Sequence, residues 1–142
     1  TLKIAAQYAD YTNFFGDLAE FTRKNEILKG HCAALGRDES EIVRSINVNV
    51  FIGETEVELA DRLAWYLDHR VRECGLREDV VRREIEGLRG STGCGTPEQV
   101  VEQLDALRRA GLGYTIAYFA DAAYDTTSID LFERAVIPEL KG

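Results

Sequence analysis

The glycine-rich stretch 90–96 is the part of the sequence whose residue types could hold a ligand anion directly. It leads straight into a predicted helix, with Thr96 as the N-cap, Pro97 at the first helical position and Gln99 placed to complete a capping box. First-turn amides lack partners inside a helix, and glycines let a phosphate or carboxylate approach them. A bound anion would contact Gly93, Gly95 and Thr96. The stretch lacks the lysine of a phosphate-binding P-loop, so turn and capping chemistry is the alternative interpretation.

Other reactive side chains give weaker indications of chemistry. Cys94 precedes a helix N-terminus, where a thiol can be acidified, but no basic partner is visible in the sequence. His31 and His69 have no second ligand at metal spacing, so we predict no metal site and ordinary roles for both histidines. No pair of carboxylates has a spacing that demands acid and base catalysis.

Composition excludes several classes of function. The 142 residues fit a single domain, 1–142, and the hydrophobic fraction of 45% is enough for a core. Acidic residues outnumber basic ones by 25 to 17, and a net charge of −8 argues against nucleic-acid binding. No apolar run could cross a membrane and no signal-peptide pattern is present, so we expect a cytoplasmic protein. The absence of methionine suits a piece of a longer polypeptide.

Hydrophobic periodicity predicts alternating helices and strands. Helices are predicted over 2–9, 17–35, 55–71, 96–110 and 128–140, with a shorter one within 75–95, and strands over 11–15, 45–52 and 114–119. Asp17 and Thr55 are the predicted N-caps of two of these helices, and Gly36 is the predicted C-terminal glycine of the first. The predicted apolar face of the helix from Thr55 comprises Val57, Ala60, Leu63, Ala64, Leu67 and Val71.

Strands separated by helices of this length predict an α/β fold built from parallel βαβ units. A helix that follows a parallel strand begins at the carboxyl end of the sheet, so Thr55 lies at that end. The helix from Thr96 must also begin there if it is to feed the last parallel strand. The glycine-rich stretch is therefore predicted on the side where α/β proteins bind ligands.

Several segments, in this order, resemble the carboxy-terminal part of the luciferase-like monooxygenase family. They are TLKIAAQYAD (1–10), FTRKNEIL (21–28), GRDESEI (36–42), GTPEQV (95–100) and FERAVIPEL (132–140). The resemblance covers essentially the whole chain and is nearest to the branch that uses the deazaflavin coenzyme F420. It implies a partial (β/α)8 TIM barrel consisting of the last three βα units.

The resemblance also implies a function and a cofactor. Family members use reduced F420 or FMN, commonly as homodimers, to reduce or oxygenate a small organic substrate. Thr1 matches a position whose hydroxyl and amide approach the cofactor phosphate, and Asn13, Gly93, Gly95 and Thr96 are the further cofactor-binding candidates. The family's preceding glycine run and its early strands have no counterpart here, so a complete active site cannot be built from these residues.

Polar residues near the predicted strand ends have two interpretations each. Asn13, Asn47 and Asn49 could face a barrel interior and a substrate, or serve as hydrogen-bonded structural groups. Tyr118, Asp121 and Tyr124 follow or end the last strand and are candidates for the mouth of a pocket.

Two hypotheses about the whole chain remain open. One is part of an F420- or flavin-dependent oxidoreductase. The other is an isolated half-barrel without catalysis that self-associates, or pairs with a complementary half, through its uncovered strands.

Overall fold

The computed structural model describes residues 1–141, which form an α/β chain of short strands and covering helices. The helices are α1 (Leu2–Tyr8), α2 (Leu18–Leu35), α3 (Glu56–Arg72), α4 (Glu78–Arg89), α5 (Pro97–Arg109), α6 (Thr127–Ala135) and α7 (Ile137–Leu140). The strands are β1 (Tyr11–Phe14), β2 (Val43–Ile52), β3 (Cys94–Gly95) and β4 (Tyr114–Phe119). A 3-10 turn, Glu39–Glu41, precedes β2.

Strand β2 is the centre of the sheet, because each of the other three strands pairs with it. β1 runs parallel to its first half, in a register from Tyr11 opposite Val43 to Phe14 opposite Ile46. β3 runs parallel to its last residues, with Cys94 opposite Phe51 and Gly95 opposite Ile52. The predicted α/β class with parallel strand pairing is confirmed.

Contacts divide the chain into two compact units. Unit 1 comprises residues 1–48 and 106–116, and unit 2 comprises residues 49–105 together with the described residues from 117 onward. Each unit has its own hydrophobic clusters, and each is described below by itself. The single-domain assignment of the whole chain stays a prediction.

Unit 1 has one core cluster, built around α2. Phe21, Leu28 and Cys32 are fully buried on one face of this helix, and Phe14 of β1 meets Phe21 edge-on at 5.4 Å between ring centroids. The predicted caps are confirmed. Asp17 accepts a hydrogen bond from the amide of Glu20 at 2.9 Å, and Gly36 takes the left-handed conformation with φ of 67°.

Unit 2 has two core clusters. In one, Val50 and Ile52 of β2 pack with Val100 and Leu104 of α5 and with Leu131 of α6. In the other, Phe51 packs with α3 and α4. The members of this second cluster that α3 supplies are Leu59, Leu63 and Tyr66. The predicted Thr55 cap is confirmed, since its hydroxyl accepts a hydrogen bond from the amide of Glu58.

The predicted apolar face of α3 is confirmed at Leu63, Leu67 and Val71, which pack in the Phe51 cluster, and is wrong at Val57, Ala60 and Ala64, which are exposed. Its buried residues are Leu59, Leu63 and Tyr66, whereas Val57 is 70% exposed. The ring of Tyr66 packs edge-on against Phe51 at 5.0 Å while its hydroxyl donates to Glu84 at 2.8 Å. Tyr66 therefore occupies a core position of α3. A pattern read from aliphatic residues alone leaves this position out, because tyrosine also carries a polar hydroxyl group.

Three element boundaries also differ from the prediction. The single helix over 128–140 is two helices, because Pro138 has no amide proton and α6 ends at Ala135. Strand β2 begins at Val43 instead of Ser45, since the charged Arg44 is buried in it. β3 lies inside the predicted glycine loop and has only two residues, too few for a period-two pattern.

Candidate functional site

Unit 2 contains a cleft between the first half of α3 and the segment that follows β4. α3 lines it with side chains spaced three, four and seven residues apart, which share one helical face. We call it the Trp65 cleft, and its lining residues are Glu58, Asp61, Arg62, Trp65, Asp121, Tyr124 and Asp125. Its volume of about 440 Å³ is that of a small-molecule site.

Arg62 holds the segment after β4 against α3. Its guanidinium donates to Asp121 at 2.9 Å and to the hydroxyl of Thr127 at 2.8 Å. Asp125 accepts from the hydroxyl and the amide of Thr127, and these bonds lower the pKa of the Asp125 carboxyl. Ser128 adds a bond to Asp121 at 2.5 Å. The segment between β4 and α6 forms this wall of the cleft. Hydrogen bonds hold it in place, although it has no regular secondary structure.

Three rings meet at the cleft, two from α3 and one from the segment after β4. Trp65 stacks on His69 with 5.0 Å between centroids and an interplanar angle of 9°, and Tyr124 approaches both rings at 5.7 and 4.9 Å. The indole is therefore held in one orientation beside the carboxylates. The lining residues that the structure describes combine carboxylates with aromatic rings, an arrangement that suits the binding of a small molecule.

The sequence indicated part of this cleft. Of the three residues predicted as candidates for a pocket mouth, Asp121 and Tyr124 line this cleft. Tyr118 lies on the exposed side of β4 and is not among the lining residues. Arg62 and Trp65 were missed. Their spacing on α3 was visible, but the bond from Arg62 to Asp121 joins residues 59 positions apart, which periodicity cannot reveal.

The glycine-rich stretch is hydrogen-bonded by the helix that it precedes. The amide of Thr96 donates to Gln99 at 2.9 Å, as the predicted capping box requires, and the amide of Gly93 donates to Gln103 at 2.9 Å. At Gly95, a β-carbon would lie 2.6 Å from the Gln99 side-chain oxygen, so glycine allows this close approach. Cofactor contacts at Gly93, Gly95 and Thr96 stay predictions.

The start of α5 and the start of α3 lie together in unit 2. β3 pairs with the end of β2, and the Gln99 amide group donates to Glu56 at 2.9 Å. Thr55 and Thr96 therefore both lie at the carboxyl end of β2. This agrees with the prediction made from the direction of helices that connect parallel strands.

The remaining reactive residues fit structural roles. Cys94 is 4% exposed, and burial raises the pKa of its thiol, which disfavours the nucleophilic thiolate. Cys32, Cys74 and Cys94 are free thiols. Across residues 1–141, no group of three or more potential metal ligands lies close enough to hold an ion. None of the described helices is long and apolar enough to cross a membrane.

Unit 1 places Asn13 in a polar network on the uncovered side of the sheet. The Asn13 amide group donates to Asn47 at 3.2 Å, and the Ser45 hydroxyl donates to the Asn13 carbonyl at 3.1 Å. Asn13 and Asn47 are exposed, and so is Asn49, which belongs to unit 2. The hydrogen-bonded interpretation of Asn13 and Asn47 is thereby supported, while an open side remains on both residues.

Thr1 is exposed at the start of α1. Its carbonyl accepts a bond from the amide of Ala5 at 3.0 Å, but its side chain makes no capping bond. No acidic residue lies in the first turn of α1, and Lys3 does. The contact of Thr1 with a cofactor phosphate stays a prediction.

Comparisons with known proteins agree on one family. A sequence profile described as luciferase-like monooxygenase matches residues 1–113. No curated protein matches the sequence significantly. Among solved structures, the long-chain alkane monooxygenase LadA matches with a TM-score of 0.70 and 18% identity, over 99% of this chain and 38% of that one.

Two F420-dependent enzymes show the same fold. The F420-dependent tetrahydromethanopterin reductase from Methanopyrus kandleri matches with a TM-score of 0.66 and 19% identity, over 99% of this chain and 48% of that one. An F420-dependent secondary alcohol dehydrogenase matches with a TM-score of 0.67 and 15% identity, over 99% of this chain and 46% of that one. This chain spans less than half the length of these proteins.

Proposed function

The chain belongs to the luciferase-like monooxygenase family, and we propose that it forms the carboxy-terminal part of a flavin- or F420-dependent oxidoreductase. The observation that carries the proposal is the family match over residues 1–113, which is most of the chain. Reduction or oxygenation of a small organic substrate is then the activity of the whole barrel. This chain supplies one portion of it.

Within that barrel, the chain would supply the last three βα units. These are β1 with α2, β2 with α3, and β4 with α6. Parallel pairing of β1 and β3 with β2 supports the assignment. So does the position of Thr55 at the carboxyl end of β2, the end at which barrel enzymes carry their sites.

The residues present fit one end of the cofactor. The hydroxyl of Thr1, which makes no capping bond, and the charge of Lys3 are the groups at this end of α1 that suit a phosphate. Asn13 is fixed by Ser45 and Asn47 and offers a rigid polar group on the uncovered side of β1. Reduced F420 or FMN would bring the hydride or electron chemistry, while Thr1 binds and Asn13 orients.

Two steps test the proposal. An in-frame coding sequence upstream of Thr1 should encode a strand that ends in glycines. The polypeptide carrying that segment is then titrated with F420 and with FMN, and cofactor fluorescence is followed. We expect binding of one of them, with the 142-residue chain alone binding more weakly. Failure of the longer polypeptide to bind either cofactor would contradict the proposal.

A second candidate function is an isolated half-barrel that self-associates without catalysis. It is favoured by the uncovered side of the sheet in unit 1, which we call the open face. The open face consists of Tyr11, Asn13, Asn47, Tyr114 and Ile116. Tyr11 is 67% exposed and Tyr114 is 54% exposed, an unusual state for strand residues of this size.

A further inference from the structure

We propose that the Trp65 cleft binds a small organic cation of the alkylammonium class. None of the proposed cofactor contacts, which are Thr1, Asn13, Gly93, Gly95 and Thr96, lines the cleft. Three features of the cleft carry the inference: its volume, its aromatic wall and its charge.

The volume and the wall select the shape of the ligand. A cavity of about 440 Å³ admits a molecule of a few carbon atoms with its hydration partly removed. Trp65 and Tyr124 line the cleft, and the stack of Trp65 on His69 fixes the indole plane. Aromatic faces held in this way attract alkylated ammonium groups through the ring quadrupole.

The carboxylates of the cleft favour a ligand with a positive charge. Four carboxylates line the cleft against a single guanidinium, that of Arg62. Arg62 is engaged by Asp121 at 2.9 Å and by Asp125 at 3.7 Å, so its charge is compensated within the wall. No hydrogen bond or ion pair engages the Asp61 side chain among residues 1–141, so it is available to a ligand. Such a cleft repels phosphates and carboxylates.

The only tryptophan of the chain is Trp65, so its fluorescence reports on the cleft alone. The 142-residue chain is titrated with choline chloride at constant ionic strength, and Trp65 emission is followed. We expect a saturable change. The neutral analogue 3,3-dimethylbutan-1-ol has the same shape without the charge, and it should bind about tenfold more weakly, the order of a partly desolvated cation–π contact. Equal affinity for the alcohol, or no saturable change with choline, would overturn the proposal.

A pair of variants separates the local carboxylate from the net charge. Asp61→Asn should weaken choline binding about fivefold, the effect of removing one unit charge a few ångströms from the ligand. Asp68→Asn is the matched control, because Asp68 is on the same helix, pairs with Arg72 at 2.7 Å and does not line the cleft. Equal weakening by both variants would show an effect of net charge and would refute a localised site.

The aromatic wall is tested with a second readout. Trp65→Phe keeps a ring and Trp65→Leu removes it, and binding is followed by broadening of the choline methyl resonance. We expect the leucine variant to bind about tenfold more weakly than the phenylalanine variant. Far-UV circular dichroism checks that both are folded. If the leucine variant binds as well as the phenylalanine variant, the ring has no part in binding and the proposal fails.

Discussion

At the scale of single residues, Arg44 is the most heavily bonded side chain of unit 1. It is 6% exposed and lies in β2, where a charge must be compensated. Its guanidinium donates to the Asn25 side chain at 2.9 Å, to the carbonyls of Glu39 and Ile42, and to the Glu39 carboxylate. Asn25 in turn donates to the carbonyl of Ala110 at 2.8 Å. Arg44 thus ties the start of β2 to the two segments beside it.

Arg44→Met should destabilise the chain by about 3 kcal/mol, because several buried acceptors lose their donor at once. Urea denaturation followed by circular dichroism measures the change. Arg23→Met is the control, since Arg23 pairs with Glu20 at 2.7 Å on the surface and should change stability by less than about 0.5 kcal/mol. A similar loss in both variants would show that burial of Arg44 has no special effect.

Tyr66 makes stability depend on alkaline pH. Burial, together with the hydrogen bond to Glu84, raises the pKa of Tyr66 to about 12 from an ordinary value of 10.0. A folded-state pKa above the unfolded value stabilises the fold fully below pH 10, and this contribution is lost as pH rises through 12.

We expect the stability advantage of the wild type over Tyr66→Phe to shrink by up to about 2 kcal/mol between pH 9.5 and 12. Denaturation curves of both chains across this range measure it, and titrations common to both cancel. Tyr8→Phe, at a position 73% exposed, is the matched control for removal of a tyrosine hydroxyl from the surface. A constant difference for Tyr66→Phe would contradict the assignment.

At the scale of elements, glycines show where the backbone is tightly packed. A β-carbon on Gly53, between β2 and α3, would lie 2.4 Å from the amide nitrogen of Leu59. Gly87 lies inside α4 with open space around the same position. The two glycines therefore have opposite physical roles, although both appear in the sequence as interruptions of a pattern.

Gly53→Ala should destabilise unit 2 by about 1–3 kcal/mol, because a backbone atom must move to admit the methyl group. Gly87→Ala should stabilise it by about 0.5–1 kcal/mol, since alanine is the better helix former. Thermal denaturation of the two variants decides the point. Two shifts of the same sign would show that the packing around Gly53 relaxes freely.

Elements were predictable where a local rule governs them. Asp17, Gly36 and Thr55 mark helix ends by their own chemistry, and the alternation of Ile46, Val48 and Val50 reveals a strand. Prediction failed where tertiary contacts override the pattern. Arg44 extends β2 through bonds to distant segments. Tyr66 adds a core position to α3 that the aliphatic pattern does not include. The Trp65 cleft likewise depends on a contact between α3 and a segment that no local pattern links to it.

At the scale of the whole molecule, the open face exposes large apolar side chains of strands to solvent. Its large side chains, Tyr11, Tyr114 and Ile116, are each more than 40% exposed. Exposed strands with apolar side chains tend to associate with other chains. The open face would lie in an interface both in a half-barrel that pairs with another and in a barrel completed by a further segment.

Sedimentation velocity should detect concentration-dependent association of the 142-residue chain at micromolar concentrations. Ile116→Lys places a charge on the open face and should shift the chain toward monomer by at least about tenfold in the association constant, because burying an unpaired charge is costly. Val57→Lys, at a position 70% exposed on α3, is the control. A wild type that stays monomeric, or an Ile116→Lys variant that associates equally, would contradict the prediction.

The glutamines of α5 have a consequence for any anion that reaches the glycine-rich stretch. Because Gln99 and Gln103 already accept from the amides of Thr96 and Gly93, an incoming phosphate would exchange one acceptor for another at these two amides. Only the difference between a charged and a neutral acceptor remains to favour it. The side-chain carboxamides of Gln99 and Gln103 therefore compete with an anion for these two amides. An anion binds there only if its hydrogen bonds are stronger than those of the two glutamines.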